Sequence, residues 1–312
     1  MTEPKIGKFP IEFKEMYREF LSWLNKNIYK KVPQEMLFHY TTQNGLLGII
    51  KSKSLRLSDN QYLNDMTEYN HTIDLLKDEF EKRGYAKFRK YLDTIGSGFD
   101  TLLANIKERY PIYVCSFSER GDLLSQWRGY CPNGGGYSIG FDKAHIVKLR
   151  KKYKKFNFVR CVYKKKIQQD IIRNFLKDSV STFQKFNISN CNDENSKLKF
   201  INYFFTMLLT IIPMLKHHTF REEREWRIVN FIKIKTSQIK FREGKFAIVP
   251  YVEFKLANKR EKLNISKIIV GHSPHMELSL KSVKLILSAQ NVNCVTVKPS
   301  RIPYRGSVDF GL

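Results

Sequence analysis

The chain has 312 residues, 42% hydrophobic and 13% aromatic, which is enough to bury a sizeable core and excludes a disordered segment. Its 55 Lys+Arg against 30 Asp+Glu give a net charge of +25, which suits anionic partners and is equally what a Lys-rich solvated surface produces. Five scattered cysteines, Cys115, Cys131, Cys161, Cys191 and Cys294, form no C-x-x-C pair, pointing to a reducing cytoplasm and away from structural zinc.

The opening "MTEPKIGKFPIEF" has early acidic residues and no apolar core, so no secretory signal is expected. Phe13, Tyr17, Phe20 and Leu24 recur at helical spacing and predict a helix of roughly five turns broken by Pro33. Residues 1–32 therefore read as a helical extension to a single domain at 33–312. A strand at Met36 to Tyr40, a helix from Gln43 to Lys51 capped by Thr41 or Thr42, and a strand "SLRLS" follow. "NDMTEYNHTIDLL" opens another helix with Asn64 or Asp65 as its cap. "PIYVCSFS" reads as a buried strand, "LLSQWRGY" as a short helix and "GGGYSIGFD" as a glycine-led strand.

Past "FNFVRCVY", two long helical stretches form an insertion around residues 165–218. They contain "FFTMLLTIIPML", shorter than the ~20 residues of a membrane span and interrupted by Pro213, so a buried helix and no membrane are expected. "EWRIVNFIKI" returns to strand, two or three more strands follow, and "SKIIVG" through "NCVTVK" reads as strand, helix, strand. The basic runs "KLRKKYKK" and "YKKK" flank the strand around Val159 as a solvated face or a groove wall. Helices and strands mix without regular βαβ alternation, which makes the fold class α+β.

Two short motifs invite chemistry. "GGGY" lacks the G-x-G-x-x-G order and does not open a helix; it suits a close backbone approach to a flat ligand with Tyr137 stacking, or a hairpin turn with a core tyrosine. "FREEREWRIV" places Glu223 and Glu225 two apart at a strand start, on one side by alternation. Beside Arg221, Arg224 and Arg227 they are either ion-paired surface or a carboxylate pair fit for sugar transfer. Metal ligation is not expected: His217 and His218 are adjacent, and His272 and His275 lie in a turn with Pro274 and lack acidic partners. A magnesium nuclease built from Asp65, Glu68, Asp142 and Glu225 is the metal-dependent alternative.

The order His39 with Thr41, then Tyr137, then Glu225 resembles the H-Y-E signature of the ADP-ribosyltransferase superfamily. Over more of the chain, "LNDMTE", "VCSFSE", "SQWRGY", "GGYSIGFD" and "EREWRIV" resemble a family of uncharacterised bacterial proteins with N-D-P-x-E, C-F-S, M-W-x-x-Y, G-x-x-I-G-F-D and E-x-E-x-R motifs. Met66 stands in place of the proline and Gln126 in place of the methionine. The opening "HYTTQNGLLGIIKSKSLRLSD" is also similar to the start of DNA-targeting ADP-ribosyltransferase toxins.

The resemblance implies an ADP-ribosyltransferase-like split β-sheet with helical insertions, holding NAD as substrate. His39 would meet the nicotinamide-side ribose, Thr41 would support the pocket, Tyr137 would stack on nicotinamide, and Glu225 would bind the ribose 2′-hydroxyl and stabilise the cationic transition state. Glu223 takes the place that orients the acceptor. Arg128 would contact phosphate, with an ion pair as its other reading, and Asn64, Asp65 and Glu68 would border the site, Asn64 or Asp65 serving equally as a helix cap. Tyr40 departs from the superfamily's H-G-T. The implied activity is that of an NAD-dependent ADP-ribosyltransferase, or an NAD-consuming effector, in the bacterial cytoplasm. Its target would be DNA or RNA, its context a toxin or phage defence, with a neutralising partner protein. A non-catalytic nucleic-acid or nucleotide-binding module stands beside the nuclease as an alternative.

Overall fold

The computed structural model describes residues 14–28, 35–62, 68–82, 84–94, 98–104, 106, 110–131, 135–153, 155–188, 193–230, 234–244, 247–258 and 260–303. The expected caps Asn64 and Asp65, together with Phe13, Pro33 and Cys191, lie outside the described residues.

Helix α1 (Lys14–Asn27) spans 14 residues, or about four turns, and buries Phe20 and Leu24. Strand β1 (Met36–Thr41) stops where Thr42 caps α2 (Gln43–Ser52), its hydroxyl accepting from the Gly45 N–H at 3.2 Å. Lys53, in the left-handed region at φ 49°, ends α2 and turns the chain directly into β2 (Ser54–Asp59). Then come α3 (Glu68–Lys82), α4 (Ala86–Asp93), α5 (Phe99–Ala104), β3 (Tyr113–Ser118), α6 (Leu124–Tyr130) and β4 (Tyr137–Asp142).

The Asp142 carboxylate caps α7 (Lys143–Lys152) by accepting from the His145 N–H at 3.0 Å. Part of the basic run is therefore helix, anchored by Ile146 and Leu149 and exposing Lys148, Lys151 and Lys152. After β5 (Asn157–Arg160), the helices α8 (Lys165–Lys185) and α9 (Glu194–Ile211) form the helical stretch expected there. No helix among the described residues is long and apolar enough to cross a membrane. The chain closes with β6 (Glu225–Asn230), β7 (Lys240–Arg242), β8 (Val249–Lys255), β9 (Lys267–Val270), α10 (Met276–Ala289) and β10 (Thr296–Pro299).

The strands make one mixed sheet of ten among the described residues, parallel only at β9–β10, so the architecture is α+β. Its main path runs β10-β9-β4-β1-β3-β2-β8-β7, with β6 and β5 branching from β3. Strand β3 explains the branch. Strand β6 pairs along one edge of it, from Tyr113↔Asn230 to Ser118↔Glu225. The other edge is shared, with β1 meeting it at Ser118 and β2 meeting it at Tyr113 and Val114. The sheet therefore forks, and β1 and β2 splay apart beside Cys115, Ser116 and Phe117 while α2 connects their ends.

Each face carries its own core. The α1, α3, α4, α8 and α9 helices pack on one face, burying Phe80, Phe88, Phe175 and Phe204 in a core with Val114 and Val229. On the opposite face α2, α7 and α10 cover Leu55, Phe117, Ile139, Phe141 and Ile228. A smaller cluster under α6 holds Phe38, Tyr40, Trp127 and Ile269.

Candidate functional site

A cavity of about 490 Å³ opens at the fork, within the size range of small-ligand sites. Strand β1 contributes His39 and Thr41, α2 contributes Asn44, Gly45 and Ile49, and β2 contributes Arg56 and Ser58. Tyr130 at the end of α6 and Arg242 at the end of β7 complete the walls used below.

His39 sits where β1 leaves β3. Its Nδ1 lies 2.9 Å from the Ser116 carbonyl, which can only accept, so Nδ1 carries the proton. Burial lowers its pKa from the ordinary 6.5, opposed by the Ser116 hydrogen bond and reinforced by the charge of Arg242. The ring is therefore neutral at pH 7 with Nε2 as an acceptor, so it would accept from a ligand hydroxyl instead of donating to one.

Tyr40 points the other way. Its hydroxyl donates to the Arg120 carbonyl at 2.8 Å, accepts from the Leu123 N–H at 3.0 Å, and its ring meets Trp127 edge-on. The bulk that departs from H-G-T thus stays out of the cavity. Thr41 faces α2 at a glycine: a Cβ on Gly45 would lie 1.9 Å from Thr41 Oγ1. Tyr137 is directly opposite Thr41 on β4, but its ring is 8% exposed, belongs to the core, and does not line the cavity. The close backbone approach expected of the glycine run is real at Gly136 and is made to protein, with Cys131 Sγ 2.1 Å from where a Cβ would stand and Gly271 N–H bonded to the Gly136 carbonyl at 2.8 Å.

Glu225 begins β6 within a buried ion network. Its Oε1 accepts from Arg227 Nε at 2.7 Å, and its Oε2 accepts from Lys216 Nζ at 2.6 Å and Arg227 Nη2 at 3.0 Å. Arg227 also grips Glu68, with Nη1 at 2.7 Å and Nη2 closing the bidentate pair, and donates to the Pro213 carbonyl. Burial alone would raise the Glu225 pKa, but Arg227 and Lys216 outweigh it and hold the carboxyl well below the usual carboxylate range.

Glu223 differs from its expected place. It ends a 3₁₀ turn at His218–Glu223, and Arg224 at φ 43° reverses the backbone before β6 starts, so strand alternation does not pair it with Glu225. Lys216 does, by bonding Glu223 at 2.6 Å as well as Glu225. Burial and the Glu225 charge raise the Glu223 pKa despite Lys216.

The register separates His39 from Glu225. Phe38, Ser118 and Glu225 form one row across β1, β3 and β6, so Glu225 shares a face with Phe38, and His39, the next residue, points to the opposite face. Two side chains near His39 or its cavity feel the Glu225 charge. Cys115 Sγ is 3.6 Å from His39 Nδ1, and burial with the Glu225 charge drives its thiol pKa upward. Tyr130 lines the cavity, and its phenol is raised by burial and by Glu225. Arg128 is exposed on α6 and does not line the cavity.

Sequence reasoning missed Lys216 and Arg242, which carry no local motif, and Arg56, which lies within the quoted "SLRLSD" stretch but was given no role. Among the described residues no group of three or more His, Cys, Asp or Glu could hold a metal ion. Comparison with curated proteins and with solved structures finds no match to the chain. Residues 126–228 match the model of a family described as a protein of unknown function, DUF2971. The matched stretch contains Tyr130, Tyr137, Lys216, Glu223, Glu225 and Arg227 and does not reach His39, Thr41, Arg56, Glu68 or Arg242.

Proposed function

We propose that the chain is an NAD-consuming ADP-ribosyltransferase whose substrate enters the fork between β1 and β2 and whose acceptor is an anionic polymer, DNA or RNA. The cavity at the fork carries this reading, because it joins His39 and Thr41 on one wall to arginines on the other. A neutral His39 with Nε2 as acceptor suits a ribose hydroxyl. Glu225, ionised and fixed by Arg227 and Lys216, faces away from His39 and does not line the cavity, so it would act on an oxocarbenium-like centre through its charge and not by contact. Tyr137 would support Thr41 from behind, and the +25 charge would draw the acceptor.

One observation favours a second reading, a nucleotide-binding module without turnover: both Glu225 oxygens are already engaged in ion pairs. Incubation with NAD labelled in the nicotinamide, with and without DNA or RNA oligonucleotides, separates the two. Transfer chemistry predicts nicotinamide release that falls on the order of 100-fold in Glu225→Gln, checked for folding by circular dichroism. Absence of release under every condition, or equal release by Glu225→Gln, rejects the transferase. Saturable NAD binding that survives Glu225→Gln without release establishes the binding module.

A further inference from the structure

Two guanidinium groups, those of Arg56 and Arg242, share the fork cavity. Arg242 Nη2 donates to Ser58 Oγ at 3.1 Å and Nη1 to the Glu243 carbonyl at 3.2 Å, while Arg56 lies 5.2 Å from the centre of the Tyr251 ring. Neither makes an ion pair with a described residue; Glu253, directly across from Arg56, is held by Lys240 and Lys255. Glu243 also lines the cavity and engages Arg242 through its backbone carbonyl. Burial and the neighbouring Arg56 charge together depress the Arg242 pKa.

Helix α2 is shaped for this arrangement. A Cβ on Gly48 would stand 2.8 Å from Arg56 Nη2, so the absence of a side chain lets the guanidinium lie against the helix. One turn earlier Asn44 and Gly45 bring the N-terminal turn of α2, with its partial positive charge, to the same cavity. Two cations and a helix N-terminus converge on one cavity that Glu243 borders, an excess of positive charge that favours an anionic ligand.

We propose that Arg56 and Arg242 form a phosphate clamp, so that the cavity's ligand carries a diphosphate held between β2 and β7 while its sugar faces His39 on β1. The clamp rests on the reading of this cavity as a nucleotide cleft for the identity of the rest of the ligand. The diphosphate preference itself follows from the guanidinium pair. It also assigns phosphate recognition to residues other than Arg128.

Isothermal titration of the full chain with ADP, adenosine and inorganic pyrophosphate tests it, using Arg242→Gln, Arg56→Lys and a control, Lys148→Gln, that removes one exposed charge elsewhere. The clamp predicts one-to-one binding of ADP, at least tenfold tighter than adenosine, with pyrophosphate competing. Arg242→Gln should lose about 10- to 100-fold in ADP affinity while leaving adenosine unchanged, and Lys148→Gln should match the parent. Arg56→Lys keeps the charge and loses the planar fork, so a smaller loss is expected. Equal affinity for ADP and adenosine, equal losses in Arg242→Gln and Lys148→Gln, or no binding of either phosphate compound overturns the clamp. If ADP binds as described and NAD is never consumed, the clamp stands and the transferase reading falls. If NAD is consumed with an unchanged KM in Arg242→Gln, the reverse holds.

Discussion

Replacing Arg227 by methionine leaves Glu68 and Glu225, whose side chains are only 2% and 4% exposed, without the guanidinium they share. Five hydrogen bonds are lost: two to Glu225, two to Glu68 and one to the Pro213 carbonyl. The network holds three carboxylates, Glu68, Glu223 and Glu225, against two cations, Lys216 and Arg227, so the variant keeps three negative charges opposite Lys216 alone. Removing one partner of a buried pair costs about 3–5 kcal/mol, most of it the stranded charge. At roughly 2–4 °C per kcal/mol for chains of comparable size, the melting temperature should fall by on the order of 10 °C.

Urea unfolding followed by circular dichroism reads the loss directly. Glu68→Gln combined with Arg227→Met should be more stable than Arg227→Met alone, because it removes one stranded charge. The deficit should also depend on pH. In the parent Glu225 is held below the ordinary 4.5 by Arg227 and Lys216, so it contributes stability that is present above that value and lost as pH falls toward its folded pKa; the variant lacks the Arg227 part of that contribution and should approach the parent on acidification. A loss below about 1 kcal/mol, or a double variant no better than the single one, would refute the stranded-charge account.

Three further outcomes follow from the same structure. His39, depressed below 6.5, contributes stability that is present above that value and lost as pH falls toward its folded pKa; His39→Gln should flatten the slope of urea stability below about pH 6.5. Gly45→Ala gains up to about 1 kcal/mol of helix propensity but brings its Cβ 1.9 Å from Thr41 Oγ1, an overpacking cost of about 1–3 kcal/mol, so it should destabilise. Gly129→Ala in α6, with nothing within 4 Å, should instead stabilise, and equal effects in urea would contradict the packing. Among the described cysteines the exposed Cys294 should alkylate first in the native state, since Cys115, Cys131 and Cys161 are buried and burial drives the Cys131 thiol to about 12; mass mapping after brief iodoacetamide treatment checks the order.

Local chemistry was legible in the chain where one side chain decides the outcome. Thr42 after "MLFHYT" marks the end of β1 and start of α2 by its own capping bond, and the uncharged, mostly apolar "YFFTMLLTI" reads as interior helix. Helix α7 was hidden because its buried stripe consists of little more than Ile146 and Leu149 among basic residues. The pairing of Glu225 with Arg227 was readable at a spacing of two, but not its burial, since Lys216 and Glu68 come from distant segments. Arg56 and Arg242 are 186 positions apart, and nothing in their local sequence pairs them. Only the sharing of the β3 edge, a property of three strands at once, brings them to His39.

That shared edge makes the cleft a late product of assembly. Strand β3 must recruit Phe38 from one direction, Ser58 from nearer by, and Glu225 from beyond the helical stretch before the fork exists. Contacts so far apart in sequence are slow to form, because loop-closure entropy is paid before they reward it. No contiguous fragment short of this whole span can display the pocket. A ligand that recognises it would therefore favour the completed sheet over every partly formed state, coupling occupancy of the cleft to the lifetime of the native chain.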